Sequence, residues 1–336
     1  MEIRKITYVI PCYDESEVLP EFYRRVTRVA GELREYEFEF LFVNDGSNDG
    51  TSEILNAIAE KDTRVKILHF AKNQGHQIAI TAGMDFATGD VIVVIDADLQ
   101  DPPELVKEML EKIKEGFEVV HARRRKRPGE TFFKLFTAAL FYRLMSWASS
   151  GPTIENCGDF RAFTKPVLRA VSGFRERHRF MRGIFSYIGF RQCIIEYDRD
   201  VRYAGNTKYP FRKMLGFAIN AILSFSASPV KTITWLSFVL WGSSLIYLGK
   251  SLVDHFVYKV TVPGWTSLVI LLVFLTGTNL FCLGIIGSYI IRIFEQGQSR
   301  PLYWLCDAKN INFKEIDKNS REIEEVKLYY NSLNNT

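Results

Sequence analysis

Apolar and polar positions over residues 1–125 follow two periods in turn. The run ITYVI (residues 6–10) reads as a strand stopped by Pro11. In residues 15–33, Val18, Phe22, Val26 and Val29 recur at i, i+4, i+8 and i+11, which is one face of a helix. The pattern then predicts a second strand (FEFLFV, 38–43), a second helix (51–61, capped by Thr51 or Asp49) and a third strand (VKILHF, 65–70). A third helix over 75–89, ended by Gly89, and strands at 91–95 (VIVVI) and 118–122 (EVVHA) follow. Strands separated by helices of this length pair in parallel with right-handed crossovers, so the fold class is α/β with a mostly parallel sheet.

Two later stretches break both periods. Residues 232–249 and 265–291 carry no charged side chain. Each is close to or above the roughly 20 helical residues that cross a hydrocarbon core, and Trp and Tyr stand near their ends. Outside them lie Arg202, Lys208, Arg212, Lys213 and Lys231 on one flank and Arg292 and Arg300 on the other. The loop between has only Lys250 and Lys259 against Asp254. The positive-inside rule then puts both outer flanks in the cytoplasm. Phe211, Leu215, Ile219 and Ile222 give the segment before the first span an apolar face suited to the membrane interface, or to the underside of a core. The expected layout is a cytoplasmic domain (1–208), an interfacial helix (209–229), a first span (230–252), an external loop (253–264), a second span (265–292) and a cytoplasmic arm and tail (293–336). The expected location is the inner (plasma) membrane, with two passes.

Composition narrows the class further. A net charge of +4 in 336 residues is too mild to argue for nucleic acid. The five cysteines form no metal-like pair and are odd in number, which reads as reduced thiols in a cytosolic setting. The amino-terminal apolar run is too short for a signal peptide. No Gly-x-Gly-x-x-Gly follows the first strand, against a dinucleotide oxidoreductase, and no Walker-type loop is present to hold nucleotide phosphates.

Ligands of parallel sheets bind beyond the carboxyl ends of the strands. Those ends deliver PCYDES, NDGSNDGT, AKNQGH and DADLQ from four separate places in the chain. In an extended segment residues i and i+2 share a face, so Asp96 and Asp98 converge, with Gln100 a step further. Hard cations such as Mg²⁺ or Mn²⁺ take one or two such carboxylates plus substrate phosphates. The plainer alternative is Asp as turn former and helix cap.

VIPCYDES, VNDGSNDGT, NQGHQIAITAGMDFATGD, DADLQDPPE and GDFR, in this order, resemble the family 2 glycosyltransferases with a GT-A fold. The apolar pair, with RYAGNTKY just before it, resembles the polyprenyl-phosphate subgroup: bactoprenol glucosyltransferases and, further off, dolichyl-phosphate mannose synthases. The resemblance implies a metal at Asp96, Asp98 and Gln100, and a nucleotide wall of Pro11, Tyr13, Glu15 and Asp45, with Asp96 beside them. In the basic run 123–127, Arg123 stands nearest the end of the fifth strand and is the better candidate to meet the nucleotide. It also implies a catalytic pair of Asp98 and Asp159, the latter as base or positioning group unless it is simply a buried partner of Arg161. A phosphate acceptor needs cations. Arg179, Arg182, Arg202 and Lys208 are the candidates, Arg202 and Lys208 first.

The expected activity is metal-dependent, inverting transfer of a single hexose to polyprenyl (undecaprenyl) phosphate on the cytoplasmic membrane face. UDP-glucose is the leading donor, and the resemblance leaves room for a homo-oligomer. The rivals are a processive synthase, disfavoured because no Arg-Trp pair occurs, a non-catalytic nucleotide or lipid binder, and a transporter.

Overall fold

A computed structural model of the chain describes residues 2–125, 157–177, 179–198 and 264–312, with scattered positions between 235 and 258. Strands β1 (Lys5–Cys12), β2 (Glu37–Asn44), β3 (Val65–Phe70), β4 (Val91–Val94), β5 (Val119–Arg124), β6 (Cys157–Thr164), β7 (Gln192–Tyr197) and β8 (Leu305–Lys309) form one sheet in the order β7-β5-β6-β4-β1-β2-β3-β8. β1 pairs in parallel with β2 and β4, β2 with β3, and β5 with β7. Only β6 and β8 run the other way. Among the described residues the helices are α1 (Leu19–Glu32), α2 (Thr51–Lys61), α3 (His76–Phe86), α4 (Val106–Lys114), α5 (Lys165–Ser172), α6 (Met181–Tyr187) and α7 (Trp265–Gly297).

The expected mostly parallel α/β sheet is present, with local departures. β1 runs through Pro11, which sits opposite Val43, instead of stopping there. α1 starts at Leu19, with Pro20 in the first turn where a missing N–H costs nothing. α3 ends at Phe86, before Gly89. Thr88 donates from N and Oγ1 to Glu39, and Gly89 N–H donates to Thr7 Oγ1, so the chain is already tied to the sheet. The fifth strand does not lie beside the fourth, because β6 inserts between them.

Aliphatic and aromatic residues of β1, β2 and β4 pack on α1, α2 and α4. On the other face α3 lies so close that a Cβ at Gly83 would collide with Val9 Cγ1. The arm after α7 joins that face through Leu302, Tyr303, Leu305 and Ala308.

The chain divides into two compact units. One is Met1–Tyr142, Gly151–Leu215 and Pro301–Thr336; the other is Arg143–Ser150 and Gly216–Arg300. In the second unit α7 has 33 residues and spans about 50 Å at 1.5 Å per residue. Its stretch Phe274–Gly297 is long and apolar enough to cross a membrane, and none of it is buried. The expected interfacial helix and most of the first span lie outside the described residues.

Candidate active site

Sheet register builds the site. β6 runs antiparallel to β4 with Arg161 opposite Val94. Two residues past Val94 the chain reaches Asp96, while two residues back along β6 stands Asp159. His76, the first residue of α3, joins them: its Nε2 lies 3.4 Å from Asp96 Oδ1 and 3.4 Å from Asp159 Oδ2. Residues 20 to 83 apart in sequence thus meet at the carboxyl edge of the sheet.

β4 ends at Val94, so Asp96 and Asp98 do not share an extended face as the i, i+2 argument required. They lie in a turn in which Asp98 Oδ1 accepts the Gln100 N–H at 3.1 Å and Leu99 takes a left-handed φ of 58°. A leucine in that region is strained, and such strain persists where the surroundings over-determine it. Asp101 supplies the hold. It is fully buried and accepts from both Arg124 Nη2 (3.3 Å) and the Tyr197 hydroxyl.

The acids of this edge have opposed electrostatics. Asp96 is pushed up to about 6, first by burial and then by Asp101, Asp159 and Asp98, against the pull of His76. Its Oδ1 is buried and makes no hydrogen bond. Burial acts on Asp159 in the same direction, but Arg182, His76 and Arg161 outweigh it and hold this carboxyl well below the usual range. Burial opposes the His76 imidazolium, yet Asp96 and Asp159 raise it to about 9.

Asp159 is gripped from several sides. Gln77 Nε2 donates to Oδ2 at 3.2 Å, while Arg161 Nη2 and Arg182 Nε approach Oδ1 at 3.3 and 3.5 Å. Arg161 is itself buried, donates to the Asp159 and Gly158 carbonyls, and stacks 4.4 Å over the Phe185 ring. The plainer reading of Asp159 as a partner of Arg161 is therefore part of the arrangement, not a substitute for it.

The loops that follow β1 and β2 are sewn together. Asp14 N–H donates to Ser47 Oγ, Asn48 N–H to Asp14 Oδ1, Ser16 N–H to Asp49 Oδ2 and Glu15 N–H to Thr51 Oγ1. Asp49 also accepts from Thr51 N and Oγ1, which makes it the turn former ahead of α2. These bonds place Tyr13 and Glu15 just beyond Pro11, and Tyr13 is partly exposed. Asp45 is buried, and its two oxygens accept the Gln74 and Gly75 N–H groups at 2.6 and 2.9 Å. In this structure it fixes the loop that presents His76.

Among the expected cations, Arg182 reaches the site. Arg179 is largely buried and donates to the Phe174 carbonyl. Arg123 turns to Glu196 on β7, and the next residue, Arg124, is the one that reaches the aspartate loop. Arg202 and Lys208 lie outside the described residues. Sequence reasoning did not single out His76, Gln77 or Asp101. His76 and Gln77 lie inside the quoted NQGHQ motif at a strand end, which was the available signal.

Among the described residues no three His, Cys, Asp or Glu side chains are arranged to hold a metal ion alone. A bonding oxygen left without a hydrogen bond on Asp96, amid crowded carboxylates, still fits a hard cation that takes its other ligands from a substrate.

Residues 7–172 match the model of glycosyl transferase family 2. The chain is 45% identical to the uncharacterized glycosyltransferase YkcC of Bacillus subtilis, covering 93% of this chain and 97% of that protein. It is 38% identical to a prophage bactoprenol glucosyl transferase homolog of Escherichia coli (91% of this chain, 99% of that one). It is 37% identical to the bactoprenol glucosyl transferase of Shigella phage SfX (91% and 100%).

Proposed function

The chain belongs to glycosyl transferase family 2, and from that premise we propose that it transfers one hexose, from UDP-glucose, to polyprenyl (undecaprenyl) phosphate at the cytoplasmic face of a membrane. The observation that carries this reading is the likeness to bactoprenol glucosyl transferases over nine-tenths of the chain. The apolar helix α7 is consistent with a lipid acceptor that has to be met at a bilayer.

In the proposed reaction a phosphate oxygen of the acceptor attacks the anomeric carbon. The bond from that carbon to the β-phosphate oxygen breaks, and UDP leaves with the electron pair. One in-line displacement inverts the configuration. A phosphate monoester has its second pKa near 6, so the attacking oxygen is largely ionised at neutral pH and needs no strong base. Asp159, held ionised by Arg182, His76 and Arg161, is a poor proton acceptor. Its part is to hold Arg182 and His76 where two phosphate-bearing substrates meet. Asp96, Asp98 and Gln100 would hold Mg²⁺ or Mn²⁺. When bound there, the ion supplies Lewis-acid neutralisation of the diphosphate.

The test is full-length protein in detergent with undecaprenyl phosphate and Mn²⁺, offered UDP-glucose, UDP-GlcNAc, UDP-galactose and GDP-mannose in parallel, with glycolipid followed by mass. Product from UDP-glucose is expected. No product from any donor, in protein that still binds UDP, would overturn the reading.

A further inference from the structure

Gln77 is the second residue of α3 and touches two other elements at once. Its Nε2 donates to Asp159 Oδ2 on β6 at 3.2 Å, and its Oε1 accepts the Met181 N–H at 3.0 Å. The amide cannot be turned round. The flipped form would set its oxygen against a carboxylate and its NH2 against an N–H, so both neighbours fix the assignment.

Met181 is the first residue of α6, and that helix has no side-chain cap of its own at Phe180. The first N–H groups of a helix have no partner within it. Gln77 supplies one from across the fold. Met181, Ile184 and Phe185 are buried beneath α6, with Phe185 against Phe163 at 4.9 Å between ring centres. Apolar packing thus sets the helix on β6, while the Gln77 bond pins its start. The residue after that pinned N–H is Arg182, whose Nε lies 3.5 Å from Asp159 Oδ1.

We propose that Gln77 is a positioning residue that holds Arg182 beside Asp159, and so sets the affinity for the acceptor phosphate and not for the nucleotide. This rests on the proposed function, with Arg182 on the acceptor side as the sequence leads one to expect. Gln77 acts through α6 and touches neither substrate.

The experiment is a double-mutant cycle on the full chain in detergent, using Gln77→Leu, Arg182→Ala and the pair. It reads kcat and KM for undecaprenyl phosphate with UDP-glucose, and Kd for UDP. Removing a hydrogen bond to a charged group should raise the acceptor KM about tenfold in Gln77→Leu, with UDP Kd changed less than about twofold. In the Arg182→Ala background the same change should have little further effect, because residues acting through one another are non-additive. A purely structural role would lower UDP affinity in parallel, or raise KM equally in both backgrounds, and either result overturns the proposal. If Arg182→Ala alone leaves the acceptor KM unchanged, it is the acceptor-side reading of Arg182 that fails. Should Gln77→Leu fail to fold, read as loss of cooperative thermal unfolding in detergent, Gln77→Met, which also lacks the amide, replaces it in the cycle; a fall in UDP affinity in that folded variant counts against the proposal in the same way.

Discussion

Two acids, one buried and one part-buried, mark the opposite ends of one sheet. Glu39 sits near the amino edge of β2, where Lys5 and Lys66 approach at 3.0 and 2.6 Å and Thr7 and Thr88 donate hydrogen bonds. Burial alone would raise its pKa, but the two lysines bring it down to about 2. Asp96 sits past the carboxyl edge of β4 with one adjacent cation, the His76 imidazolium, and three neighbouring acids, and it rises to about 6. One end of the sheet is closed by satisfied charge. The other keeps a carboxyl raised by its acidic neighbours, strained backbone at Leu99, and an oxygen with no hydrogen bond. Perturbed carboxylates that stay unsatisfied gather where a ligand completes them.

That contrast is broken first by activity. Asp98→Ala should lower kcat on the order of a thousandfold, as loss of a main electrostatic contributor does, while Glu39→Gln measured below its unfolding temperature should leave kcat nearly unchanged. Steady-state rates of glycolipid formation decide it, and equal losses in both variants would erase the distinction.

Stability should respond the other way. Glu39→Gln leaves two lysines facing an uncharged amide and should destabilise by about 3 kcal/mol, the usual scale for breaking a buried pair. Thermal unfolding in detergent would show this as a clear drop in midpoint. Asp96→Asn, measured with EDTA present, should instead stabilise by about 1–3 kcal/mol, because it removes a charge the fold disfavours. A lower midpoint for Asp96→Asn would contradict the account.

The two acids also predict opposite pH slopes. Glu39 titrates at 4.5 when unfolded and at about 2 when folded, so between these values the unfolded chain holds the extra proton. Its contribution is complete above 4.5 and is lost as pH falls toward 2. Asp96 moves from 3.8 to about 6, so the folded chain holds the extra proton between them. Its contribution is complete below 3.8 and is lost as pH rises through 6. Wild type in EDTA should therefore gain stability from pH 7 to pH 5 relative to Asp96→Asn. Parallel unfolding curves across that range would remove the Asp96 term.

The smallest effect belongs to Arg123. Its pair with Glu196 is more than a third exposed on both sides. Arg123→Ala should cost under about 1 kcal/mol and change kcat little. A large activity loss there would return Arg123 to the nucleotide site that its strand-end position suggested.

Much of this was legible in the chain. Runs such as VKILHF and VIVVI are apolar because the strands are covered on both faces, and that pattern is local. β6 was not legible. CGDFRAFT mixes Asp159 and Arg161 with Phe160 and Phe163, so its charges masked a strand buried along its whole length. Its insertion between β4 and β5 sets Asp159 beside Asp96, a long-range register that no local period reports. The same holds for His76, whose role appears only when α3 and β6 meet. α4 went unread although Val106, Met109, Leu110 and Ile113 repeat at helical spacing and are buried. The i, i+2 argument reached the right pair of aspartates through the wrong local geometry, since the strand ends before either of them.

The most direct measurement follows glucosyl transfer from UDP-glucose to undecaprenyl phosphate through removal and return of metal. EDTA should stop the wild-type protein, and Mn²⁺ should restore its rate, while Asp98→Ala stays inactive under both conditions. A wild-type rate that persists in EDTA, or an Asp98→Ala protein that responds to Mn²⁺ as wild type does, would contradict the claim that the carboxyl edge of the sheet is a metal-dependent transferase site.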